Sequence, residues 1–374
     1  MKEDLYKEND DEFKKMNNNE DDQEEEQENS SEEQEEEMNK INIYNNNEFQ
    51  LDKVLNFFFN NNIISKTKFC SKCGKPMILE SNITYMDGKV WRCRSKVGKH
   101  DVKINIRENS VFENINIPLP IIYFLILYCF TEKYSIDKSY IEIKDNQNLF
   151  WDKNCTKNSI SKLYSLLRER IKNSMHKIWK NNLMGNNPSE HGYPVFEIDE
   201  SEIIGNNEII YWMFGIIDRI SKDSRVFCVL NDRTSNNLMK IIKDNISTNE
   251  NVDMDLDEEY LENARIYSDC FASYQPNTFR DSGYILKRVN HSVWFGYGNF
   301  HTNNVEGLWS QIKRLSNNFS GLNIGKLEEL YPSENEKKNY LDSWICYALF
   351  FREVEKKKLS RKGRIKLLIN YIKI

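Results

Sequence analysis

Apolar residues recur at helical spacing at the start of the patterned region, at Phe49, Leu51, Val54, Leu55, Phe58 and Phe59, and predict a short helix. Residues 68–107 then alternate short strand signals with turn residues. From Pro118 the pattern is helical to about Leu183. Within it, Ser159–Lys180 opens on a polar cap and carries Leu163, Leu166, Leu167, Ile171, Met175 and Ile178, mostly three or four apart, the stripe of an amphipathic helix. After His191-Gly192-Tyr193-Pro194 the period changes. Val195–Asp199, Tyr211–Asp218 and Arg225–Leu230 read as strands, and Ser235–Ile246 as a helix. Arg265–Ser268 and Ile285–Val289 read as strands again, and Asn304–Leu315 as a helix. Three strands, a helix, two strands and a helix make a mixed α/β layout. The longest apolar run, Ile117–Phe130, has two prolines near its start and is shorter than the ~20 residues of a membrane span. It reads as a buried helix, and no membrane partner is expected.

Charge divides the chain. Of its 58 Asp/Glu and 52 Lys/Arg, the first forty residues hold 18 acids and 5 lysines, which leaves 40 acids against 47 bases for the rest. The net charge of -6 therefore describes a tail, and the remainder is mildly basic, which permits a polyanionic partner. Residues 1–45 cannot bury enough apolar surface to offset their ordering entropy and read as a disordered acidic tail. Asn249–Glu262 is an acidic insertion. Met1–Ser30 is acidic rather than apolar and does not read as a secretory signal.

Three of the eight cysteines cluster. Cys70-x-x-Cys73 precedes a turn glycine, Gly74, and Cys93 follows after nineteen residues, with His100 seven positions further on. Three thiolates and an imidazole are a competent tetrahedral set for a structural Zn2+, with no position left open for water. Arg92, Arg94, Lys96, Lys99 and Lys103 surround this module with positive charge. Lys162, Arg168, Arg170, Lys172, Lys177 and Lys180 are assigned to the polar side of the Ser159–Lys180 helix. A basic helix next to a zinc ribbon suggests a helix-turn-helix-like DNA-binding module.

Phosphodiester chemistry with two metal ions needs carboxylates converging on ions ~4 Å apart. The informative acids are those that break a strand's apolar pattern. Glu197 and Asp199 share one face of their strand by period-two alternation. Asp269 ends a second strand, and Glu306 begins a helix. Lys313 and Ser310 share the helix face of Glu306. His301 and Asn303 precede that helix, and His291 is a further candidate nearby. Pattern alone leaves Glu197 a rival of Asp199.

The chain resembles the Merlin-type DDE transposases and their bacterial insertion-sequence relatives, the ISXO-like transposase domain, over roughly residues 50–355. The stretches that carry the resemblance are Cys70-Ser-Lys-Cys-Gly-Lys-Pro-Met, Val90-Trp-Arg-Cys93, Ile104-Asn-Ile-Arg-Glu-Asn-Ser-Val-Phe-Glu113, Glu197-Ile-Asp-Glu-Ser201, Asn231-Asp-Arg-Thr-Ser235, Ile266-Tyr-Ser-Asp-Cys270, Val289-Asn-His-Ser-Val and His301-Thr-Asn-Asn-Val-Glu-Gly-Leu-Trp-Ser-Gln-Ile-Lys-Arg314. The resemblance implies an RNase H-like catalytic domain of mixed sheet and flanking helices. It implies a triad of Asp199, Asp269 and Glu306 holding Mg2+ or Mn2+, with Lys313 downstream. It also implies zinc at Cys70, Cys73, Cys93 and His100, where relatives usually carry a fourth cysteine in place of the histidine. The implied activity is metal-dependent cleavage and strand transfer at transposon ends. The implied partners are terminal inverted repeats, target DNA and further copies of the chain. The implied place is the nucleus in a eukaryote, otherwise the cytoplasm or nucleoid. A domesticated, catalytically silent DNA-binding descendant is the alternative. The expected organisation is an acidic tail (1–45), a zinc ribbon with its leading helix (46–115), a helical DNA-binding module (116–190), the RNase H-like domain (191–355) and a basic tail (356–374).

Overall fold

The computed structural model describes residues 50–96, 98–146, 155–185, 192–204, 210–248, 263–289, 301–317 and 327–373. The acidic tail, the Asn249–Glu262 insertion and His291 lie outside the described residues. Helix α1 (Leu51–Asn60) buries Val54, Leu55, Phe58 and Phe59 on one stripe. Three strands follow as an antiparallel meander, β1 (Ile78–Ser81), β2 (Lys89–Ser95) and β3 (His100–Asn105). A buried bidentate ion pair joins this module to the next segment. The Arg107 guanidinium holds both oxygens of Asp87 and donates to the carbonyls of Ile115 (2.6 Å) and Ile117 (2.7 Å). Asp87 in turn accepts from the backbone N–H of Leu119 at 3.0 Å. Two buried charges are tolerated here because every strong donor and acceptor is used.

The apolar run is a buried helix, as expected: α2 (Leu119–Phe124) continues as a π-helical turn, Leu125–Phe130. Among the described residues no helix is long and apolar enough to cross a membrane. Helices α3 (Ile136–Asp145) and α4 (Lys157–Asn181) open on Ser135 and Thr156, whose hydroxyls accept from the backbone N–H groups three residues on.

Five strands form the second sheet: β4 (Val195–Ile204), β5 (Ile210–Asp218), β6 (Ser224–Leu230), β7 (Arg265–Ser268) and β8 (Ile285–Arg288), in the order β6-β5-β4-β7-β8. β5 is antiparallel to β4 and β6, while β7 runs parallel to β4 and β8 parallel to β7. A mixed sheet with only its second strand reversed is consistent with the RNase H-like arrangement expected. Helices α5 (Ser235–Asn245) and α6 (Pro276–Arg280) cover one face, where Phe196, Ile198, Phe214 and Ile216 are buried. Helix α7 (Asn303–Asn317) lies over the other face, with Met213, Ile217, Val226 and Cys228.

After the short α8 (Leu327–Leu330) comes a long helix absent from the sequence reading, α9 (Glu334–Lys356). Its start is a reciprocal capping box between Ser333 and Glu336. From Leu341 to Phe351 it is buried all round, so no stripe marks it. Two expectations change at this helix. Arg168 and Lys172 do not lie on a solvent face of α4. The Arg168 guanidinium sits 3.9 Å from the centre of the Trp344 ring, and Lys172 Nζ donates to Asn339 Oδ1 at 3.1 Å. Their long apolar stems pack as core while their heads find partners on α9. Lys162, Lys177 and Lys180 remain exposed. The segment 356–374, expected as a basic tail, carries a helix. Arg361–Ile372 form helix α10, which buries Leu368, Ile369, Tyr371 and Ile372.

Deleting α10 is expected to destabilise the protein by roughly 5 kcal/mol or more, from burial of four large side chains at ~1.5–3 kcal/mol each. Truncation before Ser360 should then give insoluble protein or a melting temperature lower by tens of degrees in calorimetry, whereas removing a solvated tail would leave it unchanged.

Candidate active site

The parallel pairing of β4 and β7 sets the site. Its register pairs Glu197 with Tyr267, so the residues two further on, Asp199 and Asp269, emerge side by side where β7 ends. Carboxyl ends of parallel strands are where open α/β sheets place ligands. Oxygen atoms of Asp199, Glu200 and Asp269 lie within 4.8 Å of one another. Period-two alternation puts Glu200 on the opposite face of β4 from Asp199, opposite Phe214 of β5. Beyond residue 197, however, β4 has no partner on the β7 side, and the Glu200 carboxylate joins the cluster there. Two adjacent acids on a strand that outruns its neighbour was the signal available for it.

Glu197, the former rival of Asp199, has another task. It shares the sheet face of Asp199, as alternation required, but is fully buried and engaged. One oxygen accepts from the backbone N–H groups of Asn304 (2.8 Å) and Val305 (3.1 Å). The other accepts from Asn304 Nδ2 (2.6 Å) and Arg219 Nε (2.7 Å), with His301 Nδ1 3.4 Å away. It caps α7 from the sheet and meets the positive end of the helix. Arg219 also donates to the His301 carbonyl and stacks on Tyr267, 3.9 Å from the ring centre.

Fixed in this way, α7 brings Trp309 over the sheet, and its indole N–H donates to Asp199 Oδ2 at 2.9 Å. Gly215, the register partner of Asp199, leaves room for the ring: a Cβ there would lie 2.6 Å from an indole carbon. A glycine inside a strand pattern is the sequence sign of such close approach. Glu306 is exposed on the first turn of α7 and accepts from the Thr302 hydroxyl at 3.0 Å. It is not among the three converging acids, although its charge is felt at Asp199. Lys313 is exposed further along α7.

Burial, then the neighbouring charge of Asp269, pushes the Asp199 carboxyl up to about 6 against the help of the Trp309 hydrogen bond. Burial likewise raises Glu200 to about 7, with the charges of Asp199 and Asp269 adding to it. The Tyr274 hydroxyl beside Glu200 opposes that rise, while the buried Glu200 Oε1 has no hydrogen bond of ordinary geometry among the described residues. Three crowded carboxylates with a buried oxygen short of donors are a donor set suited to a hard divalent cation.

The second cluster is the cysteine module. Cys70 and Cys93 Sγ each lie 3.5 Å from His100 Nε2, and Cys73 Sγ lies 3.7 Å from Cys93 Sγ. A tetrahedral zinc with bonds near 2.3 Å to sulfur and 2.0–2.1 Å to nitrogen would set these separations at about 3.8 and 3.5 Å. Burial opposes the Cys70 thiolate, but the backbone N–H groups of Lys72 and Cys73 outweigh it and bring the thiol down to about 7. The basic ring around the module is partly spent internally, because Arg92 pairs with Glu80 and Asp101, and Arg94 with Glu80.

No family model matches the chain, and no curated protein does. Among solved structures it is similar to the catalytic core domain of HTLV-2 integrase in complex with magnesium. The dimeric form matches at 16% identity and a TM-score of 0.25, covering 47% of this chain and 97% of that one. The trimeric form matches at 16% identity and a TM-score of 0.24, covering 43% and 85%. Likenesses this partial carry no chemistry across, and the reading of the site rests on this chain's own residues.

Two outcomes follow for purified protein. Glu197→Ala leaves Arg219 and the α7 N-terminus without their acceptor and is expected to cost about 3–5 kcal/mol, while Glu197→Gln, which keeps an oxygen, loses less; denaturant titration measures both. Asp199→Asn is expected to stabilise ion-free protein. A carboxyl raised in the folded state contributes stability that is present below its unfolded value near 4 and lost as pH rises through about 6. The gain should be on the order of 2–3 kcal/mol at pH 7.5 and vanish near pH 4, and added Mg2+ should stabilise wild type but not the variant. A melting temperature for Asp199→Asn below wild type at pH 7.5 without ions would count against the crowding.

Proposed function

We propose that the chain is a DDE-type transposase of the Merlin kind, or a close descendant, that cuts and joins DNA at the carboxylate cluster. The observation that carries this reading is the convergence of Asp199 and Asp269 from adjacent parallel strand ends, with Glu200 beside them and a helix bearing Glu306 pinned above. Asp199, Asp269 and Glu306 are the proposed Mg2+ or Mn2+ ligands, and Glu200 is added to them. When bound, such ions supply Lewis-acid activation of water or a 3′-hydroxyl and stabilise the leaving oxygen. The protein's part is orientation. Trp309 holds Asp199 by one oxygen, which leaves the other for the ion. Glu197 and Arg219 hold the helix that carries Trp309, Glu306 and Lys313. Lys313, two turns from Glu306, is the proposed phosphate contact.

Cys70, Cys73, Cys93 and His100 are the proposed Zn2+ ligands of a zinc ribbon, and their separations support a closed, structural site. Double-stranded DNA is the proposed partner, with the chain acting as a homo-oligomer on paired ends. The exposed Lys162, Lys177 and Lys180 of α4 are available to it.

Incubation with DNA carrying the element's terminal repeats is expected to give nicked product with Mg2+ or Mn2+ and none with chelator, and Asp199→Asn or Asp269→Asn should lower the rate by at least about 10^3. Protein that binds such DNA and never cuts it with any divalent ion would instead be the silent, domesticated form.

A further inference from the structure

Arg233 lies in the loop between β6 and α5, at the same end of the sheet as the carboxylates. Its guanidinium packs against two aromatic rings, 3.4 Å from the centre of Trp212 and 4.8 Å from that of Phe271. Phe271 belongs to the loop that follows Asp269 and donates its backbone N–H to Asp269 Oδ1 at 2.9 Å. Ser273 in the same loop donates its hydroxyl to the Arg233 carbonyl at 2.7 Å. The arginine is thereby tied to the loop that presents a cluster carboxylate, and its charge is felt at Glu200.

An arginine whose task was to neutralise the cluster would be expected to form an ion pair with it. Among the described residues no carboxylate pairs with Arg233, although three acids stand nearby. Stacking on aromatic rings restrains a guanidinium and leaves N–H groups for hydrogen bonds in its plane. Those groups suit the two oxygens of a phosphate, and restraining them beforehand removes much of the entropy cost of the contact. A cluster of negative charge also repels a phosphodiester chain unless cations flank it.

We propose that Arg233 grips a backbone phosphate of the nucleic acid, next to the phosphodiester attacked at the carboxylates. This rests on the nucleic-acid reading of the site. It adds a contact from the opposite side of the sheet to α7 and Lys313, so that the strand would be held on both flanks of the acids.

The test uses full-length protein, a fluorescently labelled DNA duplex and Mg2+. Arg233→Met keeps a stem against the rings and removes the charge, and Arg233→Lys keeps the charge and loses the fork. Anisotropy titrations over a range of salt should show Arg233→Met binding about 10- to 100-fold more weakly, with the slope of log Kd against log salt shallower by about 0.9. Cleavage at saturating DNA should fall less than about 3-fold, as for a lost ground-state contact. Arg233→Lys should recover the slope and only part of the affinity. If both variants bind DNA with wild-type affinity and slope while thermal shifts with Mg2+ alone change, Arg233 only tunes Glu200 and the proposal fails by itself. If wild-type protein binds no DNA, the nucleic-acid reading fails and takes the proposal with it.

Discussion

Everything at the carboxylate end of the sheet depends on how Glu197 holds α7. A buried carboxylate without partners would cost several kcal/mol, enough to cancel the stability of an ordinary domain. Here two backbone N–H groups, an asparagine amide and an arginine satisfy it, and the helix dipole adds to them. The contact belongs to no single element. It joins the middle of β4 to the start of α7, and through Arg219 to the end of β5 and the Tyr267 ring on β7. The angle of α7 over the sheet then determines where the Trp309 indole meets Asp199, and Gly215 is the point where the sheet gives way to it.

Against this satisfied acid stands a group of frustrated ones. Asp199 and Glu200 are buried beside Asp269, whose charge adds to the burial that disfavours their ionisation. The two environments are only two residues apart on one strand. Glu197 faces donors at a helix N-terminus, whereas Asp199 has one indole N–H. A chain that wanted only stability would fill that end of the sheet with apolar or neutral residues. Carboxylates left short of donors are what a cation site requires, and the repulsion persists because the surrounding packing holds it in place.

Much of this was legible in the sequence. Strand patterns located β4 to β8 to within a residue or two at most ends, because half-buried strands alternate and their ends carry turn residues. The shared face of Glu197 and Asp199 followed from period two. What pattern could not supply was the partner of each acid, which depends on register and on which strand ends first. Glu200 escaped because alternation assigns it to the other face of β4, while at the strand end its carboxylate still comes within reach of Asp199 and Asp269. α9 escaped because a helix buried all round has no stripe. Arg168 and Lys172 were misplaced because amphipathic reading treats any cation as solvent-facing, while long cationic side chains pack well when Trp344 and Asn339 await their ends.

The two polar clusters differ in a way that bears on their use. Around the cysteines, the four donor atoms approach one another at distances that leave room for one ion and nothing else, and Cys70 and Cys93 belong to the same continuous core as α1, α2, α4 and α9. Binding there would add its free energy to folding, and four protein ligands would leave no coordination position for water. The carboxylates, by contrast, lie at the end of the sheet where β7 stops, with Glu306 exposed to one side and Arg233 held on the other. A closed set anchored in the core through Cys70 and Cys93 suits permanence. An open set at a strand end, flanked by a cation packed on two rings, suits a ligand that must enter, react and leave.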